Sequence, residues 1–131
     1  MDDVKLISLP KILDERGNLS FFESGNHLPF EIQRIYWIYD VPGGEIRGGH
    51  AYKSLREIVI ALSGSFDVVL NDGKNEQRYS LNRSYFGLYI PKMIWRQLEN
   101  FSTNSLALIG ADQLFSENDY LRDFSLFKTM K

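Results

Sequence analysis

The stretch GEIRGGHAYKSLREIVIALSG, residues 44–64, joins a glycine-rich segment to a run of β-branched and apolar residues. Within it, His50, Tyr52 and Glu57 lie between Gly44 and Gly64. The run EIVIAL predicts a strand. An imidazole, a phenol and a carboxylate beside such a strand are groups that bind ligands and transfer protons. The stretch therefore predicts a site that is built on β-structure.

Short apolar runs separated by turn residues continue along the rest of the chain. The runs are VKLISL, LSFFE, RIYWIY, EIVIAL, FDVVL, QRYSL, FGLYI, IWRQLE and SLALIG, and the turns include ERGN, DVPGG and NDGKN. In RIYWIY, Ile35, Trp37 and Tyr39 share one face, and Arg34, Tyr36 and Ile38 share the other. This pattern predicts an all-β fold, either an antiparallel sandwich or a jelly-roll barrel of nine short strands.

The segment SENDYLRDFSLFKTM predicts one helix near the end of the chain. Ser116 with Asp119 has the spacing of a capping box. The apolar residues that follow at helical spacing are Leu121, Phe124, Phe127 and Met130. We expect this helix to cover apolar surface of the barrel.

Composition favours one globular domain that spans residues 1–131, because 44% of the residues are hydrophobic and 14% are aromatic. The chain has no cysteine, which excludes disulfides and thiolate metal sites. A net charge of −2 without a dense block of basic residues argues against nucleic acid as a partner. No apolar run approaches the roughly 20 residues that span a membrane, and the start MDDVKLISLP lacks the pattern of a signal peptide. We therefore expect a cytoplasmic protein.

The spacing from Gly44 through His50 and Glu57 to Gly64 resembles the first motif of the cupins, with Tyr52 in place of the second histidine. The segment GLYIPKMIWRQLEN resembles the second cupin motif, in which Arg96 takes the histidine position. The resemblance implies a cupin jelly roll. Arginine stays protonated and repels a cation, so only two ligand positions remain. We expect neither a catalytic metal nor another cofactor.

The same residues are suited to metal-free proton transfer. His50 has an ordinary pKa of about 6.5 and is a candidate general base. Arg96 and Arg47 are candidates to stabilise an oxyanion, and the Tyr52 hydroxyl both donates and accepts hydrogen bonds. Two alternatives stay open: Tyr52 is a packed core residue, and Glu57 pairs with an arginine inside the barrel.

Four stretches resemble the nucleotide-sugar 3,4-ketoisomerases. They are DERGNLSFFE, PFEIQRIYWIYDVPGGEIRGGHAYK, GLYIPKMIWRQLENF and FSENDYLRDFSLFK, which together cover nearly the whole chain. The resemblance implies a metal-free cupin, usually a homodimer, that moves the keto group of dTDP-4-keto-6-deoxyglucose from C4 to C3. It also implies that His50 is the base, while the family's second histidine falls on Tyr52. Family members differ at the positions of Arg16 and Arg96, and that difference is associated with the configuration at C4.

The remaining candidates bind substrate. Arg47, just ahead of the base, is placed to meet the substrate diphosphate, since guanidinium binds such oxygens in a fork. Tyr36 and Tyr89 either line the mouth of the barrel or belong to the core. An unpaired edge strand such as VKLISL could add to a partner's sheet, which is consistent with a homodimer.

Two other functions compete with the ketoisomerase. A nucleotide-sugar epimerase uses similar proton abstraction but also needs a proton donor on the opposite ring face, and the sequence does not identify one. A non-catalytic cupin that binds a nucleotide sugar is favoured by the loss of the second histidine at Tyr52.

Overall fold

The computed structural model describes residue 1 and residues 3–131, and antiparallel strands form its framework. The strands are β1 (Lys5–Ser8), β2 (Lys11–Ile12), β3 (Leu19–Ser20), β4 (Arg34–Tyr39), β5 (Arg47–Tyr52), β6 (Glu57–Ser63), β7 (Phe66–Asn71), β8 (Glu76–Leu81), β9 (Phe86–Ile90), β10 (Trp95–Glu99), β11 (Leu106–Ala111) and β12 (Tyr120–Leu121). A 3-10 helix covers Glu117–Asp119, and helix α1 covers Phe124–Met130.

Within the described residues, two five-stranded sheets carry the fold. Their strand orders are β1-β9-β6-β11-β4 and β12-β5-β10-β7-β8, and β2 pairs with β3 in a separate hairpin. The side chains that face each other between the sheets form the main core: Val59, Ala61, Phe66, Val68, Leu70, Leu81, Leu88, Ile90, Ile94, Leu98, Ala107 and Ile109. This architecture confirms the prediction of an all-β cupin-like sandwich with a short helix near the carboxyl end.

Strand β6 is buried on both faces. Val59 and Ala61 point into the main core, while Ile58 and Ile60 pack beneath Leu28 and nearby residues on the outer side of the sheet. A strand covered on both faces needs a continuous apolar run, and EIVIAL supplies one. Because β6 lies in the middle of its sheet, it is a rigid support for Glu57 at its first position.

Strand β4 lies at the edge of the same sheet and is covered on only one face. Arg34, Tyr36 and Ile38 are half-buried, whereas Ile35, Trp37 and Tyr39 are 49%, 57% and 61% exposed. The predicted alternation of RIYWIY is therefore confirmed, and its second apolar face remains uncovered in the single chain.

Strand β5 is absent from the sequence prediction, although it carries the central histidine. Its sequence RGGHAY is rich in glycine and therefore lacks a strand-like pattern. Gly48 has a φ of +90°, and a Cβ there would lie 3.0 Å from the carbonyl oxygen of Arg96. This close approach coincides with a register shift between Arg96 and Gln97 on β10. The glycine thus allows β5 and β10 to pair despite the irregularity.

The prediction of a helix from Ser116 onwards is wrong in its first half. Tyr120 and Leu121 pair with Tyr52 and Ala51 as strand β12, and Ser116 makes no side-chain capping bond. The helix begins only after Asp123, whose carboxylate accepts hydrogen bonds from two backbone amides of the first turn. Pairing with β5 thus outweighs the local helical pattern. Neither α1 nor the 3-10 helix has the length and apolar character that a membrane span requires.

Candidate active site

A cavity of about 590 Å³ lies between the two sheets and is lined by residues of both. Its polar and aromatic lining consists of Arg34, Tyr36, Trp37, Arg47, His50, Tyr52, Glu57, Arg96, Phe115, Tyr120 and Arg122. Guanidinium groups outnumber carboxylates in this lining. The cavity is therefore suited to an anionic ligand with a partly apolar surface.

His50 lies on β5 directly opposite Arg96 on β10. Burial lowers the pKa of His50 to about 4, and the positive charges of Arg96 and Arg122 act in the same direction. The imidazole is therefore neutral near pH 7. Its Nε2 atom is buried and has no hydrogen-bond partner among the described residues. A neutral, unpartnered nitrogen that lines a cavity is the arrangement required of a general base.

Glu57 and Arg96 form an ion pair that is 1% exposed at each residue. Arg96 Nη1 donates to Glu57 Oε1 at 2.5 Å, and Arg96 Nη2 donates to the carbonyl oxygen of Ile94 at 2.9 Å. The second carboxylate oxygen, Glu57 Oε2, accepts a hydrogen bond from the Tyr36 hydroxyl at 3.0 Å. Of the alternatives open for Glu57, the structure therefore supports pairing with an arginine inside the barrel.

These contacts leave no suitable ligand set for a cupin metal. Two of the four ligand positions hold Tyr52 and Arg96, and both oxygens of Glu57 already accept hydrogen bonds. Among the described residues, no group of three or more acidic, histidine or cysteine side chains is placed to bind an ion. A cation at this position would lie beside the fixed charge of Arg96. The residues present therefore do not fit a metal.

Tyr52 is both a core residue and part of the cavity lining. Its ring packs 4.9 Å from the His50 ring and lies 4.8 Å from Arg96 Cζ. Its hydroxyl donates a hydrogen bond to the Tyr120 hydroxyl at 3.3 Å. Burial, followed by the charge of Glu57, raises the pKa of Tyr52 well above its usual value. The group that replaces the second histidine is therefore a neutral phenol that does not ionise near neutral pH.

The structure brings six of the eight sequence-predicted site residues to this cavity. His50, Tyr52, Arg96, Tyr36, Glu57 and Arg47 all line it. Arg16 does not, because its exposed guanidinium pairs with Asp14 in the turn before β3. Tyr89 is also separate, since it packs with Leu9 and Phe30 on the outer side of β9 and β6. Within a single chain, these last two side chains lie apart from His50.

Sequence reasoning missed five polar and aromatic lining residues: Arg34, Trp37, Phe115, Tyr120 and Arg122. Arg34 shares the inner face of β4 with Tyr36, and its buried Nε has no partner among the described residues. Its guanidinium lies over the rings of Tyr36 and Phe115, at 5.1 and 5.6 Å. The alternation of RIYWIY was a usable signal for Arg34. Tyr120 was assigned to a helix, so its pairing with β5 could not be foreseen.

Comparison with known proteins gives the same family over the whole chain. The family model described as FdtA, WxcM-like, C-terminal, matches residues 2–131. A curated relative, the TDP-4-oxo-6-deoxy-alpha-D-glucose-3,4-oxoisomerase of Aneurinibacillus thermoaerophilus, is 37% identical over 124 residues, which are 95% of this chain and 89% of the relative.

Two solved structures agree in fold and in length. A 3,4-ketoisomerase from Helicobacter canadensis is 41% identical, with a TM-score of 0.95 over 98% of this chain and 96% of that one. A histidine-to-asparagine variant of the 3,4-ketoisomerase QdtA from Thermoanaerobacterium thermosaccharolyticum, solved in complex with TDP-4-keto-6-deoxyglucose, is 31% identical. Its TM-score is 0.97, over 99% of this chain and 94% of that one. With matches that span both its sequence and its fold, this chain belongs to the nucleotide-sugar 3,4-ketoisomerase family.

Proposed function

We propose that this protein converts a dTDP-linked 4-keto-6-deoxyhexose into the 3-keto isomer, with His50 as the base. The observation that carries the proposal is the His50 side chain: it is neutral, lines the cavity, and keeps a buried Nε2 without a partner. The QdtA relative binds TDP-4-keto-6-deoxyglucose, which supports a substrate of this class.

The proposed reaction begins with removal of the proton on C3, which the C4 carbonyl acidifies. His50 takes this proton, and negative charge develops on the C4 oxygen of the resulting enediolate. The cations around the cavity stabilise that charge, and Arg96 is held in place by Glu57. Arg96 uses two of its five N–H groups on Glu57 and the Ile94 carbonyl, and its buried Nε has no hydrogen-bond partner among the described residues, so it is a fixed cation that keeps free donors. Return of a proton to C4 leaves the ketone at C3, and the reaction needs no external oxidant or reductant.

The diphosphate is expected at the exposed side of the cavity. Arg47 and Arg122 line the cavity and are exposed, so they can reach phosphate oxygens without losing much hydration. Tyr36, by contrast, is held by Glu57 and is expected to shape the sugar end of the site. The role of Arg16 in the configuration at C4 stays a prediction.

We also propose that the protein acts as a homodimer. The outer face of β4 exposes Ile35, Trp37 and Tyr39, and the hairpin β2–β3 exposes Ile12 and Leu19. Exposed apolar side chains gathered on an edge strand and on a two-stranded hairpin favour burial against a second copy. A cytoplasmic location likewise stays a prediction.

One experiment distinguishes the proposed isomerase from its alternatives. The protein is incubated with dTDP-4-keto-6-deoxyglucose in deuterated water, and the sugar protons are followed by NMR. Exchange at C3 with appearance of a 3-keto product is expected. Deuterium at C5 would instead identify an epimerase. Binding without any exchange would identify a non-catalytic binding protein, the alternative favoured by the replacement of the second histidine with Tyr52.

The variant His50→Asn tests the assignment of the base. We expect turnover to be lost while the affinity for TDP, measured by calorimetry, changes little. His27→Asn is the matched control, because His27 lies outside the cavity, where its Nδ1 accepts a hydrogen bond from the Glu23 backbone. Retained turnover in the His50 variant would remove His50 as the base.

A further inference from the structure

Moving a ketone from C4 to C3 requires two proton transfers. One proton passes from C3 to C4, and the other passes from the C3 hydroxyl to the C4 oxygen. His50 accounts for the carbon-bound proton, since an imidazole can take it and return it. The oxygen-bound proton needs a group that donates and accepts at the same atom, which a hydroxyl can do.

Most side chains of the cavity cannot perform this second transfer. The guanidiniums of Arg34, Arg47, Arg96 and Arg122 donate but do not accept. Both oxygens of Glu57 are already engaged. The Tyr36 hydroxyl commits its proton to Glu57, because an ionised carboxylate can only accept.

The two remaining phenols of the lining are unequal. The Tyr52 hydroxyl donates to the Tyr120 hydroxyl at 3.3 Å, so its proton is also committed. Tyr120 receives this bond and makes no other hydrogen bond to the described side chains, so its own proton is free for a ligand. Tyr52 is 1% exposed, whereas Tyr120 is half-buried and closer to solvent.

Tyr120 is held firmly beside the base. Strand β12 pairs it with Tyr52 on β5, and its ring lies 5.0 Å from the His50 ring and 4.7 Å from the Tyr52 ring. Arg122 Cζ lies 4.2 Å from the centre of the Tyr120 ring. The hydroxyl that is free to react therefore belongs to a residue that touches both the base and a cation.

We propose that Tyr120 is a second catalytic residue, which gives its proton to the C4 oxygen and takes the proton of the C3 hydroxyl. This inference rests on the proposed isomerisation. The step balances: His50 moves hydrogen from C3 to C4, Tyr120 exchanges one hydroxyl proton for another, and both side chains end as they began. In this arrangement Tyr52, at the position where the family resemblance expects a second histidine, orients Tyr120 through the hydrogen bond between their hydroxyls.

The variant Tyr120→Phe tests the proposal, because it keeps the ring contacts and removes only the hydroxyl. In deuterated water with dTDP-4-keto-6-deoxyglucose, we expect product formation to fall about 100-fold or more, the usual range for loss of an acid–base group. Exchange of the C3 proton should fall far less, because His50 and the surrounding cations remain. The decisive measurement is the ratio of the rate of C3 proton exchange to the rate of product formation, and this ratio should rise by at least about tenfold.

Two further variants make the result decisive. Tyr79→Phe is the matched control, since Tyr79 lies on β8 outside the cavity, and its ratio should equal that of the wild type. Tyr52→Phe should reduce product formation less than Tyr120→Phe, because the Tyr120 hydroxyl remains. If exchange and product fall in parallel in Tyr120→Phe, or if neither changes, the proposal is overturned. An unreactive wild type would instead refute the proposed function itself.

Discussion

At the scale of single residues, the site depends on a fixed positive charge beside a neutral imidazole. Arg96 is buried and cannot release its proton, so it disfavours a second positive charge on His50. Glu57 forms an ion pair with Arg96 and holds it in place. Among the described residues, Glu57 makes no hydrogen bond to His50 Nε2. Burial is the largest cause of the lowered pKa of His50, and the charge of Arg96, from the same pair that disqualifies a metal, adds to it.

The pH dependence of kcat/KM should reflect the lowered pKa of His50. Activity needs the neutral imidazole, so kcat/KM should stay level from neutrality down to about pH 5 and fall as the pH drops through about 4. In the double variant Glu57→Gln/Arg96→Gln, loss of the Arg96 charge should raise that pKa and move the fall to higher pH. Arg78→Gln, which changes an exposed ion pair outside the cavity, should leave the profile unchanged. An acid limb near pH 6.5 in the wild type would contradict this account.

The buried ion pair should contribute to stability in a way that depends on both partners. Glu57→Ala leaves the charge of Arg96 buried without its partner, and we expect the free energy of unfolding in urea to fall by about 3–5 kcal/mol. The double variant Glu57→Gln/Arg96→Gln removes both charges and should lose less. Glu117→Ala breaks an exposed pair with Arg122 and should cost about 1 kcal/mol or less. Equal losses for the buried and the exposed pair would contradict the role assigned to Glu57.

At the scale of elements, the pairing of β5 with its two neighbours assembles the site. Strand β10 places Arg96 opposite His50 on one side, and β12 places Tyr120 opposite Tyr52 on the other. Strand β5 itself has weak intrinsic strand character, because it begins with Arg47 and two glycines. Its position therefore depends on β10 and β12, and a change in the register or spacing of these strands should lower the rate of the proposed reaction.

Gly48→Ala should disturb this assembly. The substituted residue would have a strained positive φ, which costs about 1–2 kcal/mol, and its Cβ would press on the backbone of β10 at Arg96. We expect a lower melting temperature together with a loss of kcat, because the spacing of β5 and β10 sets His50 against Arg96. Gly49→Ala is the control, since Gly49 also has a positive φ but open space for a Cβ. Similar kcat values for the two variants would show that the contact at Gly48 has no catalytic importance.

At the scale of the whole molecule, two sheets close over a core, and the outer face of β4 stays exposed. This face carries Ile35, Trp37 and Tyr39, and Trp37 also lines the cavity. A second copy packed on this face would lie next to the site. Assembly and substrate binding are therefore expected to be linked.

Ile35→Glu tests the proposed homodimer without changing a cavity residue. A charge at the centre of a buried apolar interface is unfavourable. In analytical ultracentrifugation we therefore expect the variant to sediment as a monomer and the wild type to sediment as a dimer. Leu126→Glu places the same charge on an exposed apolar position of α1 and should leave the dimer intact. A monomeric wild type, or a dimeric Ile35→Glu, would rule out this face as the interface.

The sequence alone determined the fold class and most of the site. Alternation with a period of two and regular turn signals predicted the sandwich. The two cupin-like motifs, together with Arg47 beside the first motif and Tyr36 on a predicted strand, supplied six side chains that do line one cavity. These features are local, because strand alternation and motif spacing are properties of neighbouring residues. The turn predicted at NDGKN is also a local feature, and in the structure it joins β7 to β8.

The tertiary structure alone decided which of those side chains are free to react. The segment SENDYLRDFSLFKTM has a helical pattern, so the sequence predicted a helix where strand β12 forms. The pairing of Tyr120 with Tyr52 joins residues that are far apart in the chain, and a local pattern does not report it. For the same reason, the sequence did not reveal that Glu57 is occupied by Arg96 and Tyr36, or that Arg16 lies away from the cavity within one chain. Hydrogen-bond partners and burial arise only when distant strands meet, and they determine that His50 and Tyr120 are left free for a substrate.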